Sequence, residues 1–187
     1  MTSAADIVNL ALVPLRRSTI TSLTDGSPSA NDANAIYATT LKRLLRRHDW
    51  SFARKRQKLA QEVGTPVSGF DYSYQLPSDF VRALVVSDSD TGRRGIRYRI
   101  EQDSILSDAS QIYLTFIFDV TDEGAFSADF IDYLAFTLAV SLAKTKSMRE
   151  EMERERQRAM QAAMSIDSIE GDIDYIEDDT WLTDRQL

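Results

Sequence analysis

His48 is the one imidazole in this 187-residue sequence and so the one side chain suited to histidine-based general acid–base work. Its sequence neighbours are Arg46, Arg47 and Asp49, with no nucleophile motif beside it. It therefore reads as a helix-terminal histidine interacting with the last free carbonyls. There is no cysteine, which removes thiolate nucleophiles, cysteine-based zinc sites and disulfides. No GxSxG, HExxH, P-loop or GxGxxG pattern occurs. Asp88-Ser89-Asp90 and Asp172-Ile173-Asp174 suggest calcium only faintly, because neither runs on into the glycine and terminal glutamate of a calcium loop. Asp71 and Asp79 flank an aromatic segment, and a carboxylate pair of that kind would suit glycoside hydrolysis, but nothing selects it. Gly92-Arg93-Arg94-Gly95 can hold an anion with its bases and amides, and reads more simply as a hairpin turn. The expectation is a protein that is not an enzyme and uses no cofactor or metal.

Two other groups of residues carry more information. Arg43, Arg46, Arg47, Arg54, Lys55 and Arg56, with Lys42 and Lys58, crowd a short stretch around the aromatics Trp50 and Phe52. Such a cluster suits phosphate contact, a solvated face, or attraction to an acidic segment of an adjacent copy. From Asp167 onward eight acids face the single base Arg185, so this segment carries the whole net charge of −7 and the rest is neutral. A neutral body argues against a free nucleic-acid binder and favours subunit contact. Within the acidic segment, Ile173, Tyr175, Ile176, Trp181 and Leu182 look like anchors for a partner surface. Met152, Met160 and Met164 lie just before it on a mostly charged helix, and join the same candidate docking set.

The elements that must position these groups follow from spacing. Ser3 and Asp6 form a capping box before a short helix bearing Ile7, Leu10 and Ala11, which Pro14 ends. Asp25-Gly26 is a turn, and Ser27-Pro28 starts a helix with Ala33, Ile36, Tyr37, Leu41, Leu44 and Leu45 on one face. That helix stops near His48-Asp49. Strands are expected after Trp50, at Phe70–Tyr74, Val81–Val86, Ile96–Glu101, Ser104–Leu106 and Ile112–Val120. The helical period returns from Ser127, where Phe130, Ile131, Leu134, Ala135, Leu138 and Leu142 make a broad apolar stripe for a central core helix. Arg149–Met164 continues helically with Arg149/Glu153 and Glu150/Arg154 pairs, and has so little to bury that it projects or packs on a neighbouring subunit.

The fold class this implies is α+β, mainly α: a helical bundle interrupted by a small antiparallel β-sheet insertion, with an extended C-terminal helix and tail. Residues 1–50 and 126–166 make the discontinuous helical domain, 51–125 the β insertion, and 167–187 an acidic docking arm. The apolar content of 43% and the aromatic residues are enough for a real core. The first residues lack a basic start and a long apolar run, and no stretch is long enough to span a bilayer, so no membrane partner is expected. A soluble product of a reducing cytoplasm fits these features.

The run Ile20–Ala60 joins turn, amphipathic helix, aromatic stop and basic strand in one order. It resembles the tail tubular protein A family of tailed bacteriophages, through Ile20, Ser22, Leu23, Asp25, Gly26 and Ser27, then Tyr37, Leu44 and Leu45, then Trp50, Phe52, Ala53, Arg56, Leu59 and Ala60. Gly69–Asp79 and the strand-then-helix order from Ile112 to Leu142 are also similar, so the likeness covers most of Ala4 to Met164. Two features depart from the pattern. The family often has glycine after the Leu15-like position, where this chain has Arg16 and Arg17, and the acidic segment has no counterpart. The resemblance implies a head-to-tail adaptor of the virion, assembled in the host cytoplasm. It would form a ring of copies, usually a dodecamer, beneath the portal protein. The ring would extend the channel for double-stranded DNA and seat a tail tube or nozzle protein. The alternatives are a nucleic-acid-binding module using Arg43–Lys58, and a hydrolase acting through carboxylates.

Overall fold

The computed structural model describes residues 2–64, 66–67, 69–92 and 95–171. Helix α1 (Ala4–Leu12) starts at a complete capping box: the Asp6 amide donates to the Ser3 hydroxyl at 3.2 Å, and the Ser3 amide to the Asp6 carboxylate at 2.9 Å. The helix ends before Pro14, and the chain reverses through Arg16, whose φ of +53° lies in the left-handed region. The Arg16 and Arg17 amides return to the carbonyls of Val13 and Leu12 at 3.0 and 3.1 Å. They satisfy groups that the helix end would leave orphaned. The connector is then pinned at Ile20, whose carbonyl and amide both bond the Asn9 side chain, at 2.9 and 2.8 Å.

Helix α2 (Pro28–Leu45) starts on Ser27, whose hydroxyl accepts from the Ala30 amide at 3.1 Å. Gly26 just before it has φ +80°, a conformation that glycine adopts without strain. Asp25 organises this corner. The Ser27 amide donates to its carboxylate at 2.8 Å and the Thr21 amide at 3.0 Å, and these bonds, the Ser27 amide first, hold it down to about 2.

Helices α3 (Ala128–Leu142) and α4 (Lys146–Gly171) follow the strands. α1, α2 and α4 all pack on α3, which buries Phe130, Tyr133, Leu134, Leu138 and Leu142 among others. A helix surrounded in this way has apolar residues over most of its circumference, as the sequence stripe required.

Among the described residues six strands form two antiparallel three-stranded sheets where a single small sheet was expected. In the first, β1 (Arg54–Lys58), β6 (Tyr113–Phe118) and β3 (Phe80–Ser87) lie in the order β1-β6-β3. In the second, β2 (Tyr72–Gln75), β5 (Ser104–Ser107) and β4 (Tyr98–Glu101) lie in the order β2-β5-β4. The physical reason is that β6 and β3 of the first sheet carry apolar residues on both faces. Ile117 and Val81 belong to the helical core, whereas Leu114, Phe116 and Val86 belong to a second core with Tyr74 and Ile105 of the other sheet. Helices cover one face, so a second sheet must cover the other. The fold is thus α+β in three layers: helices, the first sheet, the second sheet.

α4 differs from the expected projecting helix. Met152 is 4% exposed and Ala163 2% exposed, and Met148, Ala159, Met160 and Met164 pack against the same helical core. Four-residue steps along 148, 152, 156 and 160 keep one narrow face turned inward. Its ion pairs are Lys146–Glu150, Glu153–Arg156 and Glu155–Arg158, in place of the two pairs expected from spacing. The helix also runs on through Asp167 to Gly171, so the first residues assigned to the acidic arm are helical. Among the described residues no helix is long and apolar enough to cross a membrane.

Candidate functional site

The junction of α2, β1 and the end of α4 holds most of the basic cluster. Trp50 sets its geometry. The ring is fully buried, packs edge-on against Phe130 with centroids 4.8 Å apart, and donates its indole N–H to the Leu44 carbonyl at 2.9 Å. Trp50 thus satisfies a terminal carbonyl of α2 that His48 was expected to take. Phe52 packs beside it at a tilt against Phe126 and Phe130. The Trp50 ring is used by the core and is not free to stack on a base, whereas Phe52 is half-buried against that core.

His48 faces α4. Its Nε2 lies 3.1 Å from Asp167 Oδ2, while Asp167 Oδ1 accepts from the Ser51 amide at 2.9 Å and the Ser51 hydroxyl at 2.7 Å. Asp167 is only 6% exposed. A carboxylate that buried needs several donors, and these supply them. The end of α4 is therefore tied to the segment that leads into β1. Sequence reasoning missed this role for Asp167 and Ser51. A carboxylate in an acidic run gives no local sign that it will be buried.

The six predicted basic residues do not form one patch. Arg43 and Arg47 line a cleft of about 330 Å³ with Glu153 and Arg156. There the Arg156 guanidinium bonds the Glu153 carboxyl and holds it below its usual range. Arg47 also donates to the Tyr133 hydroxyl at 3.4 Å. Arg46 turns the other way and donates to the Val81 carbonyl at 2.8 Å, stitching α2 to β3. Arg54 donates to the Asp49 carbonyl at 3.3 Å. It shares with Arg47, His48, Asp49, Arg82 and Asp167 a polar cleft of about 460 Å³. Arg82, which pairs with Asp49, is the base the sequence reading left out; a single arginine inside the apolar strand Phe80–Ser87 was the available signal.

Lys55 pairs with Asp79 at 2.6 Å and lies over the Phe118 ring, 3.9 Å from its centroid. Asp79 is thus occupied by an ion pair. Lys58 bonds Gln111 at 3.1 Å. All five residues of β1 are exposed, and among the described residues β1 is an edge strand that pairs only with β6. Arg56 is exposed in the middle of it.

Of the expected docking residues, Met152 is corrected to a core position, and Met160 and Met164 are half-buried against the core. α3 supplies the apolar surface that a neighbouring subunit was expected to supply. Ile173, Tyr175, Ile176, Trp181 and Leu182 lie outside the described residues, as do Arg93 and Arg94 of the candidate anion turn. Among the described residues no group of three or more His, Asp or Glu side chains converges to hold a metal ion. No protein-family model and no curated protein matches this chain.

Proposed function

We propose that the chain is a structural head-to-tail adaptor of a tailed bacteriophage. Copies would form a ring beneath the portal protein, extend the channel for double-stranded DNA, and seat the tail tube or nozzle. The helices, as a bundle built on α3, would form the ring body. The two-sheet insertion would face tail components, and the end of α4 with the acidic segment would reach the portal or a neighbouring copy.

The observation that supports this reading is that the landmarks of the run Ile20–Ala60 form one connected unit: a pinned turn, α2, the Trp50 stop and β1. Arg16, where the resembled family often has glycine, remains a departure from the pattern, and its backbone sits at φ +53°.

The test is electron microscopy of the protein mixed with the portal protein of its own phage. Rings docked on the portal are expected; a protein that stays separate at micromolar concentration would refute the adaptor. A second reading, a nucleic-acid-binding module, is favoured by Arg54–Lys58 lying exposed along one strand. It requires salt-sensitive binding of duplex DNA by the isolated protein, and a flat titration at 50 mM salt removes it.

A further inference from the structure

We infer that the cleft between the end of α2, β1, β3 and α4 is a site for one phosphate group, free or as a phosphomonoester, held by Arg47, Arg54 and Arg82. The three arginines come from separate elements and line one polar cleft of about 460 Å³. Arg47 follows the last turn of α2, Arg54 opens β1, and Arg82 lies within β3. Three guanidiniums meet two carboxylates there, Asp49 and Asp167, so one positive charge is in surplus with His48 neutral. A tetrahedral anion accepts hydrogen bonds on several sides at once, and planar guanidinium forks match its oxygens in pairs.

These donors are held in place without being used up. Asp167 is satisfied by Ser51 and His48, and among the described residues it takes no arginine. Asp49 pairs with Arg82 through its carboxylate, and its carbonyl accepts from Arg54 at 3.3 Å. Arg47 donates to the Tyr133 hydroxyl at 3.4 Å. Each guanidinium has five N–H donors, so these bonds fix the side chains and leave other donors for a ligand. A group ordered in advance loses less freedom on binding. Among the described residues neither Arg47 nor Arg54 is in an ion pair. Arg82 is also short of acceptors, since its buried Nε has no partner there, and such a group gains from an added oxygen. The negative end of α2 opposes an anion. That end is covered, however: the Trp50 indole and the Arg47 amide both donate to the Leu44 carbonyl, at 2.9 and 3.0 Å. Lys55 and Lys58 are engaged with Asp79 and Gln111 and lie outside the cleft. The site is therefore distinct from the exposed basic strand, and it does not rest on the adaptor reading.

The experiment is isothermal titration calorimetry of the full chain with inorganic phosphate and with adenosine monophosphate. At about pH 8 and about 50 mM salt the phosphate carries close to two charges and is little screened. Saturable one-to-one binding is expected, millimolar or tighter, with each probe displacing the other. Tighter binding of the nucleotide assigns the cleft to a phosphomonoester, and equal binding to bare phosphate. Arg54→Gln and Arg82→Gln should each weaken binding at least tenfold, whereas Arg43→Gln, in the neighbouring cleft, should leave it unchanged. Asp49→Asn keeps an oxygen for Arg82 and removes a repelling charge, so it should tighten binding about threefold. Arg54 and Asp49 are exposed, so their variants report even if Arg82→Gln unsettles β3. Four results would each overturn the inference: no saturation by about 20 mM phosphate, equal losses in Arg43→Gln and Arg54→Gln, weaker binding in Asp49→Asn, or binding of a duplex DNA lacking terminal phosphates in place of either probe.

Discussion

Replacing Asp167 by alanine tests the claim that α4 is fastened to the strand layer by a single side chain. The carboxylate accepts from the Ser51 amide, the Ser51 hydroxyl and faces His48, at 2.9, 2.7 and 3.1 Å. A hydrogen bond to a charged group contributes about 1.5–3 kcal/mol net, and the donors left behind lose their partner. Part of this is offset, because alanine no longer has to bury a charge. The balance is a loss of about 2–3 kcal/mol, or a fall in Tm of about 5–10 °C for a chain of this length. Asp167→Asn keeps the shape and an acceptor for Ser51, and should lose about half as much. Ser51→Ala removes one bond and should cost about 1 kcal/mol, with a double-mutant coupling to Asp167→Ala of about 1 kcal/mol. Urea melts followed by circular dichroism, at constant m, measure all three. If Asp167→Ala lies within about 0.5 kcal/mol of wild type, the clamp reasoning is wrong.

Leu134→Ala, at a fully buried position of α3, should cost about 2–5 kcal/mol, and an unchanged Tm would place α3 outside the core. Arg16→Gly should raise stability by about 0.5–1 kcal/mol by relieving the left-handed backbone, whereas Arg16→Ala should gain nothing; equal effects in urea melts would refute strain there. Tyr37 is 6% exposed, and burial first, then the nearby Glu123 carboxylate, pushes its phenol above the usual range. A group raised on folding stabilises fully below its unfolded value, near pH 10, and that contribution is lost as pH rises further. Stability measured from pH 9 to 11.5 should therefore fall less steeply in Tyr37→Phe than in wild type, by up to about 1.4 kcal/mol per pH unit; parallel curves would refute the assignment.

Local signals were legible wherever a residue acts on its own neighbours. The Ser3/Asp6 box, the Ser27 cap before Pro28, the Asp25-Gly26 turn and the broad apolar stripe of α3 are set by spacing, and each folds accordingly. The strands were placed to within a few residues for the same reason. Their division into two sheets was not legible. The run Leu114-Thr115-Phe116-Ile117 carries apolar residues toward both faces, so its pattern cannot say how many layers cover it.

The basic cluster shows the same boundary. Residue types and order along Arg43–Lys58 were enough to mark a charged helix end followed by an exposed basic strand, because charge and period are properties of the chain itself. Only the tertiary structure decided that Arg46 turns to β3, that Arg43 and Arg47 face α4, and that β1 pairs with β6 at the edge of the first sheet. It also decided that Asp167 is an anchor instead of the start of a docking arm. Burial depends on which donors arrive from distant segments, here His48 and Ser51, more than a hundred residues away. Spacing along a sequence carries no record of such meetings, because they are chosen by how whole faces pack.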